Sequence, residues 1–157
     1  MEQAQTLTIH LMAIKIRSAG ADDVEAIVGI ENGTNQIPWT KAHFVSSMEV
    51  GHYSLVLQED EEIIGFAIFS PIIPESHLLN IAIDPTYQGK GLGDKLLQQV
   101  ILQNKNIGVQ VISLEVRVSN QPAINLYEKR GFIRDAIRSD YYSGPLKEDA
   151  LLMSLKI

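Results

Sequence analysis

The stretch Asn80–Val100, NIAIDPTYQGKGLGDKLLQQV, sets an apolar run, a proline, three glycines within five residues and a leucine-rich periodic segment in immediate succession. Ile81, Ala82 and Ile83 belong to the run HLLNIAID, which reads as a strand ended by Pro85. Further on, Leu92, Leu96, Leu97, Val100 and Ile101 recur on one helical face. A strand therefore passes into a helix through a turn almost free of side chains. Backbone N–H groups at a helix start lack internal partners and sit at the positive end of the helix dipole. The turn Gln88–Gly93 thus suits an anion, with a phosphate or pyrophosphate the expected guest and Lys90 adding positive charge. A nucleotide P-loop requires a hydroxyl residue after Gly-Lys, whereas Gly91 follows Lys90 here. A dinucleotide fingerprint fits poorly, because the spacing is G-x-G-x-G and the turn lies in mid-chain. A tight turn with no ligand is the remaining bland alternative.

Working outward, AIKIRS alternates with period two and reads as a strand. A helix follows over SAGADDVEAIVGIEN, with Asp22 as the expected cap. Thr40 is placed to cap a second short helix, KAHFVSSMEV, after the Pro38-Trp39 break. HYSLVLQ and EIIGFAIFS read as two strands of a hairpin joined across the solvated acidic run Glu59–Glu62. In VQVISLEVRVS, Ile112, Leu114, Val116 and Val118 occupy one face, and Ser113, Glu115 and Arg117 the other. NQPAINLYEKRGF reads as a short helix capped by Asn120, with Pro122 in its first turn and Gly131 ending it. FIRDAIRS and DALLMSLKI close the chain as strands around DYYSGPLKE. The expectation is a mixed α/β sheet of about seven strands covered by helices.

A chain of 157 residues, 45% hydrophobic and 20% charged, has the size and composition of one globular domain. No cysteine is present, which removes disulfides, cysteine metal ligands and any acyl relay through a thiol. The net charge of -6 argues against bulk nucleic-acid binding and suits a cationic peptide or amine. No apolar run approaches the roughly 18 residues of a membrane helix. The amino end lacks both a basic n-region and a long apolar h-region. The expectation is a soluble, cytoplasmic protein, with residues 1–13 a loose extension, Met12 a candidate start, and residues 14–157 a single domain.

The Q-x-x-G-x-G pattern from Gln88 to Gly93, after NIAIDP, resembles the acetyl-coenzyme A loop of the GNAT N-acetyltransferases, where backbone groups hold the coenzyme pyrophosphate. The likeness continues through SLEVRVSNQPAINLYEKRGF and AIRSDYYSGPLKEDALLMSL, and IPWTKAHF near the front fits as well. In order and spacing these segments are similar to the RimI branch, which acetylates the amino-terminal alanine of a small-subunit ribosomal protein. The resemblance implies the GNAT fold, a mixed central sheet of about seven strands flanked by about four helices. It also implies acetyl-coenzyme A as cosubstrate and a protein amino terminus as acceptor; no metal, no direct nucleic-acid contact and no membrane contact are expected from the histidine spacing, the net charge and the lack of a long apolar run.

Acetyl transfer to an amine requires removal of an amine proton, stabilisation of charge at the carbonyl, and departure of a thiolate. Glu115, on the polar face of its strand, is the candidate general base and matches the family's proton acceptor. Its alternative is an exposed carboxylate paired with Arg117. Tyr127 matches the family's general acid at the leaving sulfur; full proton transfer from a phenol near 10 to a thiol near 8.5 is uphill by roughly 2 kcal/mol unless the site lowers it. Its alternative is a ring packed under the sheet. By resemblance, a bulge at Ile81, Ala82 and Ile83 offers N–H groups to the acetyl carbonyl and pantetheine arm. The coenzyme contacts so implied continue through Gln88, Gly89, Lys90, Gly91, Leu92, Gly93 and Asp94, with Asn120 both cap and contact.

Asp94 departs from the branch, which carries a basic residue there, and an acid weakens attraction for phosphates. The YYSGPLKEDA loop keeps Tyr141, Tyr142, Glu148 and Asp149 but differs between them, so the acceptor stays open: another amino terminus, a lysine or a small amine are alternatives. A non-catalytic acyl-coenzyme A sensor is a further one, disfavoured by retention of both Glu115 and Tyr127. His10, His43, His52 and His77 show no metal-ligand spacing and are expected at the surface or in the core. Trp39 is expected as a packing anchor whose loop borders the acceptor groove.

Overall fold

The computed structural model describes residues 13–145 and 147–157. The extension expected over residues 1–13 lies, as far as residue 12, outside them. In chain order the elements are β1 (Ile14–Ser18), α1 (Val24–Thr34), α2 (Lys41–Glu49), β2 (Tyr53–Glu59), β3 (Glu62–Ile72), β4 (Glu75–Ile83), α3 (Leu92–Asn106), β5 (Val111–Arg117), α4 (Gln121–Lys129), β6 (Ile133–Tyr142) and β7 (Glu148–Lys156). Short 3-10 turns precede α1 and α3.

The local signals act through identifiable groups. Thr40 caps α2 by accepting from the His43 N–H at 3.2 Å, and Asn120 caps α4 by accepting from the Ala123 N–H at 3.3 Å. The β2–β3 hairpin turns at Asp60, whose φ of 52° is one that aspartate tolerates. The start of α1 differs from expectation. Asp22 lies inside the 3-10 turn Ala21–Asp23, and Asp23 is the residue with a structural role. Its carboxylate accepts from the Gly20 N–H and from both terminal nitrogens of Arg17, each at 2.8 Å. An ion pair to β1 thus holds the chain where a helix cap was expected.

The seven strands form one sheet in the order β1-β2-β3-β4-β5-β7-β6. Every neighbouring pair is antiparallel except β4 and β5, which α3 joins as a parallel crossover. Helices α3 and α4 cover one face, where Leu96, Leu97 and Val100 of α3 pack on Ile112, Leu114 and Val116 of β5. Helices α1 and α2 cover the other, where Ile27, Ile30 and Phe44 pack on Val56, Phe66 and Ile68. The expected alternation along β5 holds up to Arg117; Val118, expected on the core face, lies beyond the strand end and is exposed.

Two irregularities in the middle of the sheet shape everything that follows. β4 and β5 pair only from Glu75, Ser76 and His77 to Val111, Ile112 and Ser113, and then diverge. Within β4, Leu78 faces Phe69 and Asn80 faces Ile68, so Leu79 is an inserted residue. The bulge therefore falls at Leu79, two residues ahead of the Ile81–Ile83 position expected for it.

Candidate active site

Where β4 and β5 separate, the sheet opens into a slot joining its two faces. A cavity of about 990 Å³ runs through it, lined on one side by Gly89, Gly91, Leu126 and Tyr127 and on the other by Glu31, Trp39, Glu115 and Tyr142. Ile81, Ala82, Ile83, Gln88, Leu92, Gly93 and Asn120 line it as well, while Lys90 and Asp94 do not.

The backbone groups facing the slot follow from the pairing of β4. The Asp84 N–H donates to the Ile64 carbonyl at 2.8 Å. Antiparallel pairing alternates between the two sides of a strand, so Ala82 and Asn80 also turn their backbone groups toward β3. Ile81 and Ile83 then turn theirs into the slot. The Gln88 side chain confirms that direction by donating to the Ile83 carbonyl at 3.0 Å. Of the three residues in that stretch, Ile81 and Ile83 turn N–H groups into the slot and Ala82 turns its own toward β3.

The glycine turn owes its composition to conformation. Gly89 and Gly91 have φ of 79° and 78°, in the left-handed region, and Cβ atoms built on them would meet nothing within 4 Å. Gly91 is the N-cap of α3. The Lys95 N–H closes the first helical bond to the Gly91 carbonyl at 3.2 Å. The preceding N–H groups, of Leu92, Gly93 and Asp94, lack intrahelical partners and form an open anion cradle. The Lys90 ammonium lies over the Tyr87 ring, 5.2 Å from its centre.

Asp94 is turned away from this cradle. Its carboxylate is paired in bidentate fashion with Arg130, and Lys129 lies 3.6 Å away. The guanidinium holds the carboxyl at about 2, well below its usual range. The acid at this position is thus neutralised by the end of α4, and its effect on an incoming phosphate is offset. The same pair ties the start of α3 to the end of α4. The folded-state value is depressed, so this stabilisation is present above about pH 4 and is lost as pH falls toward 2. Asp94→Asn is expected to lower Tm by about 2–4 °C at pH 7. Thermal unfolding repeated near pH 2.5 should find that difference reduced to roughly a third.

On the α1/α2 face, Glu115 Oε2 lies 2.5 Å from His77 Nε2. Arg117 is engaged elsewhere: its guanidinium stacks on Tyr142 at 4.2 Å and lies 3.9 Å from Glu148. The Glu115–Arg117 pairing considered above is therefore replaced by Glu115–His77. Burial, more than any neighbouring charge, pushes the Tyr142 phenol up to about 12. Glu31, 1% exposed, closes this end of the cavity. It accepts from Asn80 Nδ2 at 2.9 Å and from the Trp39 N–H at 3.1 Å. Trp39 stacks on His43 at 4.3 Å and also lines the cavity, so it both packs and borders the groove.

On the opposite face, Tyr127 is 6% exposed, with its ring 5.7 Å from that of Phe132. Among the described residues nothing hydrogen-bonds its hydroxyl. Burial pushes the phenol well above its ordinary value, with Tyr142 adding to the effect. The site raises this group where proton donation would be helped by lowering it. Asn120 uses Oδ1 for the helix cap and stands at the cavity wall.

His77 and Glu31 are the site residues the sequence does not single out. Glu31 carries a signal: it falls four residues after Ile27 on the buried stripe of α1. His77 carries none, because its meeting with Glu115 depends on the β4–β5 register. Among the described residues no group of three or more His, Cys, Asp or Glu is arranged to hold a metal ion, and no helix is long and apolar enough to cross a membrane.

A split mixed sheet with a glycine anion turn beside the split is the frame of an acetyltransferase. Residues 24–132 match the model of the Acetyltransferase (GNAT) family, and the chain belongs to that family. Proteins of this family take their acetyl group from acetyl-coenzyme A. The chain is 38% identical over 143 residues to the [ribosomal protein bS18]-alanine N-acetyltransferase of Escherichia coli K12, covering 90% of this chain and 97% of that one. It is 42% identical over 136 residues to the Haemophilus influenzae protein of the same name, covering 85% and 92%. The crystal structure of the E. coli ribosomal-protein-S18-alanine N-acetyltransferase superimposes with a TM-score of 0.87, covering 92% of this chain and 94% of that one. Ard1 from Thermoplasma volcanium, 24% identical with a TM-score of 0.86, shares the fold.

Proposed function

We propose that this protein transfers the acetyl group of acetyl-coenzyme A to the amino-terminal alanine of ribosomal protein bS18, by direct attack in a ternary complex, in the cytoplasm. The observation that carries this reading is a slot that Glu115 lines from one sheet face and Tyr127 from the other. The chain around that slot is 38% and 42% identical to two relatives that bear this activity in their names.

Bound acetyl-coenzyme A supplies an acetyl group activated as a thioester. The N–H groups of Leu92, Gly93 and Asp94, with the Gln88–Gly91 turn, fit its pyrophosphate, and Asn120 borders the same wall. The N–H groups of Ile81 and Ile83 face the slot as donors for the carbonyl oxygen, on which charge develops during attack. Glu115 takes the proton of the acceptor amine. An α-amine, with a reference pKa of about 8, presents an easier proton than a lysine at about 10.4, which supports an amino-terminal acceptor. Tyr127, kept protonated by burial, donates a hydrogen bond to the departing sulfur.

Mass spectrometry of peptides incubated with purified protein and acetyl-coenzyme A tests the proposal. A peptide with the bS18 amino terminus should gain one acetyl group on its α-amine, faster than peptides with other amino termini or an internal lysine. A preference for one of the other peptides would replace the acceptor. No product despite measured coenzyme binding would remove the enzymatic reading in favour of an acyl-coenzyme A sensor.

A further inference from the structure

We infer that His77 is a positioning residue for the transfer reaction, forming with Glu115 a pair that accepts the amine proton in place of an isolated carboxylate; this rests on the assignment of Glu115 as base. His77 lies on the last rung where β4 and β5 pair, opposite Ser113. The two side chains thus meet diagonally across the point where the sheet opens, on the same face. Nε2 and Oε2 are 2.5 Å apart, and both residues line the cavity. The imidazole side chain is 37% exposed and the carboxylate 20%. The imidazole therefore lies on the solvent side of the pair.

An Nε2–H donating to Oε2 fixes the carboxylate rotamer and leaves Oε1 as the oxygen open to the amine. The other titratable or charged groups around the pair are engaged or remote from the bond. Arg117 stacks on Tyr142 and neighbours Glu148. Glu31 is held by Asn80 and the Trp39 N–H, His43 is stacked on Trp39, and Glu75 is exposed at the far end of β4. No other side chain hydrogen-bonds the His77 ring among the described residues.

The test compares steady-state kinetics of the wild type, His77→Ala, His77→Gln, Glu115→Gln and the His77→Ala/Glu115→Gln double variant at about pH 8, with acetyl-coenzyme A varied against saturating acceptor peptide. His77→Ala should lower kcat about tenfold while KM for acetyl-coenzyme A stays within about twofold. His77→Gln keeps an N–H donor at the Nε2 position and should recover kcat to within about threefold of wild type at pH 8. Adding His77→Ala to Glu115→Gln should lower kcat no further. The inference is overturned by a wild-type kcat for His77→Ala, by a His77→Gln variant no more active than His77→Ala, or by an unchanged His77→Ala effect in the Glu115→Gln background. An active Glu115→Gln enzyme would instead remove the base assignment, so the two failures are distinct.

Discussion

Glu115→Gln is expected to lower kcat by about a hundredfold or more while acetyl-coenzyme A binding stays within about twofold. The amide has the shape of the carboxylate and still accepts from His77, so the wall of the slot keeps its form. What disappears is the ability to take a proton from the acceptor amine. The residue lies on the α1/α2 face of β5, away from the glycine turn that fits the coenzyme phosphates. A role confined to folding would lower binding and turnover together. Thiol release at saturating substrates, alongside calorimetric titration of the coenzyme, separates the two outcomes.

Tyr127→Phe is expected to lower kcat by about tenfold to a hundredfold. A hydrogen bond to a charged group contributes about 1.5–3 kcal/mol, and that stabilisation of the departing thiolate is what the variant loses. Complete proton transfer is the less favourable description, because burial raises the phenol further above a thiol. The ring and its contact with Phe132 are retained in the variant, so Tm should change by no more than about 2 °C. Unchanged turnover with a lowered Tm would make the hydroxyl a packing group only. Single-turnover measurement of thiol release against pH is the sharper check, since a hydrogen-bonding role leaves the shape of the profile unaltered.

Much of the fold was legible because its signals are short in range. The strand alternation in Val111–Arg117, the caps at Thr40 and Asn120, and the acidic hairpin between β2 and β3 each depend on residues a few positions apart. Asp22 and Asp23 mark where such reasoning stops. Both are reasonable caps by type, and an arginine on β1 decides that Asp23 is the one engaged. The turn conformation at Gly89 and Gly91 was legible for the same local reason, since a left-handed φ selects glycine whatever surrounds it. The side chains of Lys90 and Asp94, inferred from the same motif, lie off the cavity against Tyr87 and Arg130, while their backbone stays in the turn. Neither partner is visible from the loop.

The sequence by itself determined the order of strands and helices, the anion turn at the head of α3, and the family to which Glu115 and Tyr127 point. Each is written in backbone preferences and side-chain periods that operate within one element or one turn. Only the tertiary structure decided that β4 and β5 part after His77, that the bulge falls at Leu79, and that Ile81 and Ile83, not Ala82, turn their N–H groups into the opening. It also decided the partners: Glu115 with His77 across 38 positions of chain, and Asp94 with Arg130 across 36. Those pairings arise from strand register and helix docking, and no local pattern encodes which distant residue the folded sheet will bring alongside.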